Sequence, residues 1–171
     1  MRLGILSDTH DEYEWMKLAI AALKRRGAGF VVHCGDLSSA KMLELFDVRP
    51  NESAAGFIFG NADDELAAME RRAIALGVAC LDDTRQFQMA GKQFAVVHGD
   101  DLDELHEAIT GQKFDYVLCG HTHVWRDERI GRTRIINPGP AALLKERSPL
   151  MPATCALLHI DTDTLEQIVL S

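Results

Sequence analysis

The chain opens with the stretch MRLGILSDTHDEYEWMKLAIAALKRRGAGFVVHCGD, residues 1–36, which decides the fold. Apolar runs at residues 3–7 and 30–34 predict two buried strands. Between them, apolar residues recur at steps of three and four over residues 12–26, which predicts a helix with one packing face. Gly27 then supplies a C-terminal stop. A strand, a helix and a second strand in this order predict parallel pairing in one sheet.

Further helices are predicted from composition, periodicity and end signals. Asp11 and Glu14 have the spacing of a capping-box pair at the start of the first helix. Gly77 and Gly111 provide stops for two later helices. The later helices are predicted over residues 39–46, 63–76 and 102–109.

The predicted strands change character along the chain. Residues 54–59 and 78–81 continue the strand and helix alternation, whereas residues 85–89 and 92–97 flank Ala90-Gly91, a connection suited to a β-hairpin. The remaining predicted strands cover residues 116–119, 132–136, 154–160 and 165–170. Together these elements predict an α/β fold, a layered sandwich of mixed sheets flanked by helices, as one domain over residues 1–171. Residues 144–152 are polar and bounded by proline, which predicts a mobile surface loop.

The composition excludes several classes of function. A formal net charge of -8 and a pI near 5.3 leave no basic footprint, so we expect no stable nucleic-acid binding. No stretch reaches the roughly 20 apolar residues of a membrane span, and residues 1–7 predict a strand instead of a signal peptide. We therefore expect a cytoplasmic protein. A homo-oligomer stays open.

The four cysteines are widely spaced, and none forms a Cys-x-x-Cys pair. Each lies in an apolar segment, which is typical of a buried, reduced thiol. We therefore expect four free core cysteines: Cys34, Cys80, Cys119 and Cys155.

Metal-binding side chains follow directly after five of the apolar runs. They are Asp8, His10, Asp36, Asn61, His98, His121 and His123. In open α/β sheets, ligands gather beyond the carboxyl ends of parallel strands, so these distant segments are predicted to meet at one edge. Each fragment alone is weak evidence, but five at consecutive strand exits predict one metal site. Outside this pattern, His106 and His159 are expected to be structural or solvent-facing. His33 is expected to lie on another face than Asp36, with support of the site through hydrogen bonds as the functional alternative.

The ligand types indicate which ions the site would hold. Imidazole, carboxylate and amide groups without a thiolate suit Mn²⁺, Fe, Co²⁺, Ni²⁺ or Zn²⁺, among which we take Mn²⁺ as the first candidate. Seven ligands exceed the usual set for one catalytic ion, so two ions are expected, with Asp36 as the bridge. Two divalent ions and only two carboxylates leave a net positive charge, which favours a small phosphate ester as substrate.

The motifs resemble those of the calcineurin-like metallophosphoesterases. The ordered motifs are Asp8-Thr9-His10, Gly35-Asp36, Gly60-Asn61, His98-Gly99 and Gly120-His121-Thr122-His123. The likeness spans most of the chain and is greatest to small single-domain prokaryotic phosphodiesterases, a branch similar also to the retromer scaffold subunit.

The resemblance implies a four-layer αββα sandwich and a particular division of the ligands. One metal would lie among Asp8, His10, Asp36 and His123, and the other among Asp36, Asn61, His98 and His121. A hydroxide bridging the two ions would be the nucleophile. The catalytic candidates are Asp36, Asn61 and His98.

The chain departs from the family pattern at one position. Many relatives carry histidine directly after Gly-Asn, where it assists the leaving group, but this chain has Ala62. Alanine cannot transfer a proton, so a phosphodiesterase is favoured over a phosphomonoesterase. A noncatalytic interaction scaffold is the alternative from another class. Asn137-Pro138-Gly139 resembles a loop of this branch and is expected to support the site.

Overall fold

The computed structural model describes residues 1–46, 54–143 and 152–171. In chain order these form β1 (Arg2–Leu6), α1 (Tyr13–Arg25), β2 (Phe30–His33), a 3₁₀ helix (Ala40–Phe46), β3 (Ala54–Phe57), α2 (Leu66–Leu76), β4 (Ala79–Cys80), β5 (Gln86–Met89), β6 (Lys92–Val96), α3 (Leu102–Thr110), β7 (Tyr116–Leu118), β8 (Arg126–Ile130), β9 (Thr133–Asn137), β10 (Thr154–His159) and β11 (Thr164–Val169). No helix among these ranges is long and apolar enough to cross a membrane.

The strands form two mixed sheets. The first has the order β11-β10-β1-β2-β3-β4, and the second has the order β5-β6-β7-β9-β8. β1 to β4 pair in parallel, as do β6, β7 and β9. The predicted hairpins β5–β6 and β10–β11 are both antiparallel. The parallel first half and the hairpins of the second half are therefore confirmed.

Alternation along β1 explains how the layers form. Leu3 and Ile5 point into a core shared by both sheets, where they join Phe94 and Leu118 of the second sheet. Leu6 points to the other face, where α1, the 3₁₀ helix and α2 pack. Successive side chains of a strand face opposite ways, so one strand supplies both interfaces.

The remaining helix completes the four layers. α3 covers the outer face of the second sheet, where Ile109 packs with Val97, Val117 and Ile135. The order of layers is therefore helices, sheet, sheet and helix, and the αββα fold class is confirmed. An aromatic stack strengthens the central interface: Phe87 and Phe94 have ring centroids 4.8 Å apart, and Phe94 and Tyr116 are 4.7 Å apart.

Three local predictions were wrong. The capping box at the start of α1 does not form, because Asp11 accepts a bond from Ser39 Oγ instead. α2 begins at Leu66, three residues later than predicted. Cys80 is an exposed free thiol, whereas the other three cysteines are buried and free as predicted. Its strand, β4, has only two residues and lies at the sheet edge.

The sequence did not predict β8. All of its residues except Arg126 are exposed, and three of the other four are charged or polar. β8 is nevertheless held by antiparallel pairing with β9 at the edge of the second sheet. The predicted loop over residues 144–152 lies, apart from Pro152, outside the described residues.

Candidate metal centre

The seven predicted ligands lie on loops that follow strands of both sheets. Asp8 and His10 follow β1, Asp36 follows β2, Asn61 follows β3, His98 follows β6, and His121 and His123 follow β7. Two hydrogen bonds tie the sheets together there. His98 Nδ1 donates to the Cys34 carbonyl at 2.8 Å, and the His121 N–H donates to Asp8 Oδ1 at 3.1 Å. The loops of the two sheets therefore meet, as their positions in the sequence predicted.

Five of these seven residues have a left-handed backbone. The φ angles of the five are +56° for Asp8, +43° for His10, +61° for Asp36, +62° for His121 and +54° for His123. Positive φ is uncommon outside glycine, costs of order 1–3 kcal/mol per residue, and is concentrated at functional sites. Five left-handed residues among seven predicted ligands therefore mark this edge as a candidate functional site.

Four of the ligands form a tight cluster. Asp8, His10, Asp36 and His123 each offer a ligand atom, and these atoms all lie within 4.8 Å of one another. His123 Nε2 lies 3.2 Å from Asp8 Oδ1 and 3.3 Å from His10 Nε2. His10 Nε2 lies 3.6 Å from Asp36 Oδ2. This is the set of residues predicted for the first metal.

The residues predicted for the second metal extend this cluster on the other side of Asp36. His98 Nε2 lies 3.3 Å from the same Asp36 Oδ2, and the rings of His98 and His121 are 5.2 Å apart. The loop after β3 contributes the Ala62 N–H, which donates to Asp36 Oδ1 at 2.8 Å. Asn61 precedes it on the same loop and is exposed. One oxygen of Asp36 thus faces both His10 and His98, while its other oxygen accepts the backbone N–H of Ala62.

Unpaired buried atoms test whether these residues suit a metal. Within the described ranges, four buried side-chain polar atoms have no hydrogen-bond partner, and three belong to predicted ligands: Asp8 Oδ2, His98 Nε2 and His123 Nδ1. The fourth is Ser7 Oγ, beside Asp8. Buried polar groups are nearly always paired, so this concentration in one place indicates a missing partner. His98 Nδ1 is already used by Cys34, which leaves Nε2 free to bind an ion.

The electrostatics of the site also favour a cation. Burial would lower the pKa of His98, but Asp36 and the Cys34 carbonyl overcome this and raise it to about 9. Burial would raise the pKa of Asp36, but His98 and the Ala62 N–H lower it overall. The protein therefore attracts positive charge between His98 Nε2 and Asp36 Oδ2. A divalent ion can take the place of that proton.

The glycines that precede Asp36 and Asn61 are needed for steric reasons, and the first of them also for a conformational one. A Cβ on Gly35 would lie 2.5 Å from His98 Nδ1, and Gly35 itself has a φ of +102°. A Cβ on Gly60 would collide with Asp36 Oδ1, although Gly60 has no positive φ. The glycines allow one ligand loop to pack directly against the side chain of the next.

His33 is buried and links two ligand loops without facing the cluster. Its Nδ1 accepts the Gly35 N–H at 3.2 Å, so we infer that Nε2 carries the proton and donates to Thr9 Oγ1 at 3.1 Å. Burial lowers the pKa of His33 to about 3, which keeps the ring neutral. His33 thus has the contacts of the functional alternative, in which it supports the site through hydrogen bonds. His106 is exposed on α3, and His159 lies at the end of β10, so neither is part of the site.

Asn137 supports the loop that carries His121 and His123. Its Nδ2 donates to the Gly120 carbonyl at 2.7 Å and to Thr122 Oγ1 at 3.1 Å. Its Oδ1 accepts the Gly139 N–H at 2.9 Å. These bonds agree with the supporting role expected of this loop.

Asp63 is a residue of this site that the sequence did not indicate. This residue is 8% exposed, and its carboxylate accepts bonds from the backbone N–H groups of Asp36, Ser38 and Gly60. Burial raises the pKa of Asp63, against the opposing effect of these N–H groups. Its position three residues after Gly60 indicated a turn. Its partners Asp36 and Ser38, however, are too distant in the sequence for a local pattern to indicate.

Comparisons with known proteins agree with this geometry. Residues 1–163 match the family model of the calcineurin-like phosphoesterase superfamily domain. A phosphodiesterase of Methanocaldococcus jannaschii is 30% identical over 141 residues, which cover 81% of this chain and 83% of that protein. The solved structure of an archaeal phosphodiesterase has 27% identity and a TM-score of 0.87, and the match covers 99% of this chain and 100% of that one.

A further solved structure shows the fold alone. Vacuolar protein sorting 29 of Cryptosporidium parvum is 17% identical, with a TM-score of 0.65 and coverage of 99% of this chain and 97% of that one. The match to the family model extends over nearly the whole sequence and includes all seven predicted ligands. The chain therefore belongs to the calcineurin-like phosphoesterase superfamily.

Proposed function

We propose that the protein is a phosphodiesterase that uses two divalent metal ions, Mn²⁺ as first candidate, to hydrolyse small or exposed phosphate diesters. The observation that carries this proposal is the cluster of Asp8, His10, Asp36 and His123, whose ligand atoms converge within 4.8 Å. The name of the Methanocaldococcus jannaschii relative supports a diester as substrate. The single domain, the cytoplasmic location and the identity of the metal stay predictions.

The proposed division of ligands makes Asp36 the shared residue. One ion would be held by Asp8, His10, Asp36 and His123, and the other by Asp36, Asn61, His98 and His121. Divalent ions in these positions supply Lewis acidity, since they offset the charge of a phosphate group and lower the pKa of bound water.

The residues of the chain prepare this site in two ways. Backbone and carbonyl contacts fix the ligands, because Ala62 N–H holds Asp36 and the Cys34 carbonyl holds His98. Burial also determines the side from which a substrate can reach these ligands. Asp8 and His98 are fully buried, whereas His10 and His121 are partly exposed. Substrate is therefore expected to enter from the side of His10 and His121.

The residue at position 62 limits the range of substrates. Ala62 has no side chain that can protonate a leaving group, although its backbone lies beside Asp36. A diester with a good leaving group needs less assistance than an unactivated monoester. This supports a phosphodiesterase over a phosphomonoesterase.

Metal analysis combined with an ester assay tests the proposal. The purified protein is expected to bind up to two ions and to hydrolyse bis-p-nitrophenyl phosphate in the presence of Mn²⁺, with lower activity on p-nitrophenyl phosphate. Asp36→Ala should lose both metal occupancy and turnover. Asp115→Ala, which removes a carboxylate at the opposite end of β7, should keep both.

The possible results separate the competing functions. Metal binding without turnover of any ester would favour the noncatalytic scaffold. Faster turnover of the monoester than of the diester would favour a phosphomonoesterase. No bound metal and no turnover with any of the five candidate metals would refute the metal-dependent enzyme.

A further inference from the structure

We propose that Asp63 is a positioning residue that fixes the loops after β2 and β3 relative to each other, and so sets the metal affinity of the site. This inference rests on the metal site of the proposed function. Asp63 is not itself a proposed ligand, and it lies outside the five sequence motifs that carry the ligands.

The carboxylate of Asp63 spans both loops. Its Oδ2 accepts the Gly60 N–H at 2.7 Å and the Asp36 N–H at 3.0 Å, and its Oδ1 accepts the Ser38 N–H at 2.6 Å. Asp36 and Ser38 lie on the loop after β2, and Gly60 directly precedes Asn61 on the loop after β3. One side chain therefore sets the spacing between two ligand loops.

The connection is reciprocal. Asp63 accepts the N–H of Asp36, and the side chain of Asp36 accepts the N–H of Ala62, next to Asp63. This second bond occupies Asp36 Oδ1 and leaves Oδ2 directed toward His10 and His98. If the loop after β3 shifts, Asp36 loses the contact that orients it. Asp63 therefore acts on the metal through the carboxylate that both ions would share.

Asp63 also holds backbone in a strained conformation. Asp36 has a φ of +61° and Ser38 a φ of +76°, and both donate their N–H groups to Asp63. Strained residues persist only where surrounding contacts over-determine them. Without Asp63, these N–H groups would lose their acceptor, and the loop could relax toward negative φ.

Helix capping does not explain this carboxylate. α2 begins at Leu66, with Glu65 at the N-cap and no side-chain cap bond. The hydrogen bonds of Asp63 go instead to Asp36, Ser38 and Gly60, all outside α2. Its contacts therefore serve the ligand loops and not the helix that follows it.

Two variants of Asp63 and one control test the proposal. Asp63→Ala removes all three acceptor contacts. Asp63→Asn keeps one acceptor oxygen, but its NH₂ group replaces the other oxygen and would face a backbone N–H donor. Asp115→Ala is the matched control, because Asp115 accepts the Gln93 N–H at 2.9 Å at the opposite end of β7.

The measurement is a titration of each apo protein with Co²⁺, followed by visible absorption, and with Mn²⁺, followed by competition with a chelator. Asp63→Ala is expected to bind both ions about 10- to 100-fold more weakly and to show an altered Co²⁺ spectrum. Asp63→Asn should bind about 3- to 10-fold more weakly, since it loses part of the contacts. Asp115→Ala should match the wild-type affinity and spectrum, even if its thermal stability falls.

The results distinguish this proposal from the proposed function. Wild-type affinity and spectrum in folded Asp63→Ala would overturn the positioning role and leave the enzyme proposal intact. Wild-type protein that binds metal but hydrolyses no ester would refute the enzyme, while the affinities of the variants would still test Asp63. If Asp63→Ala does not fold, Asp63→Asn decides: wild-type binding by that variant would overturn the proposal, and weaker binding would support it.

Discussion

The buried His33 should make the protein less stable in mild acid, and replacing it should remove that sensitivity. Its ring accepts the Gly35 N–H through Nδ1 and contacts Thr9 Oγ1 through Nε2, inside a fully buried pocket. Protonation would turn Nδ1 into a donor facing another donor. The folded state therefore keeps this histidine neutral. The variant His33→Asn removes the titrating group but still places an acceptor oxygen near the Gly35 N–H.

The magnitude follows from the pKa values. Burial lowers the pKa of His33 from 6.5 to about 3 in the folded protein. Between these two values the unfolded chain binds more protons, so stability falls as the pH falls from 6.5 toward 3. Each pH unit in this window costs about 1.4 kcal/mol of unfolding free energy. At pH 5.0 the loss attributable to His33 is therefore about 2 kcal/mol, and at pH 7.5 it is close to zero.

Urea unfolding with EDTA present, at pH 7.5 and at pH 5.0, measures this effect. Other groups also titrate: the raised pKa of His98, about 9 without metal, has the opposite effect and stabilises the folded state as the pH falls. The quantity to compare is therefore the pH-dependent change in the variant minus that in the wild type, in which His98 cancels. We expect His33→Asn to lose about 2 kcal/mol less than the wild type between the two pH values.

The control is a histidine outside the buried pocket. His106→Asn changes an exposed residue of α3 and should keep the wild-type pH dependence. His33→Asn will itself be less stable at both pH values, because it loses the contact with Thr9. An equal pH dependence in the wild type and His33→Asn would show that the ring takes up a proton without unfolding, and the burial argument would fail.

Two further predictions concern the ligand loops. Ala62→His should extend activity toward esters with poorer leaving groups, because it returns a proton donor beside Asp36; unchanged selectivity across a series of substituted phenyl esters would contradict this. Gly120→Ala should destabilise the protein by about 1–3 kcal/mol and weaken metal binding, because its Cβ would collide with Ser7 Oγ and lie 2.9 Å from Asp8 Oδ2. Gly29→Ala, whose Cβ would lie 4.0 Å from its nearest neighbour, is the control in urea unfolding and metal titration.

The sequence predicted the sheets well where strands are buried on both faces. β1, β2 and β7 cross the interior, so most of their residues are apolar and stand out as short runs. The ligands were predictable for the same reason. A polar side chain directly after such a run lies at the carboxyl edge, where parallel strands bring distant segments together.

The features that the sequence could not predict depend on contacts between distant residues or on backbone alone. β8 is an edge strand whose pairing with β9 needs no apolar side chains, so its charged sequence gave no signal. Asp63 forms its bonds across 25 to 27 residues to Ser38 and Asp36. Asp11 was predicted to cap α1 but contacts Ser39, 28 residues away. For Asp63 and Asp11, the partners are too far away in the sequence for a local pattern to indicate them.

Contacts within the protein hold the site in shape. Asp36 has a strained backbone, yet its N–H bonds to Asp63 and its carbonyl accepts the N–H groups of both Thr9 and His10 at 3.0 Å. His98 is fixed across the sheet interface by the Cys34 carbonyl. These contacts are all made between protein groups, so folding itself contributes to the ordering of the ligands. An ion would then meet ligands already in position, and its affinity would depend on residues such as Asp63 that hold them there.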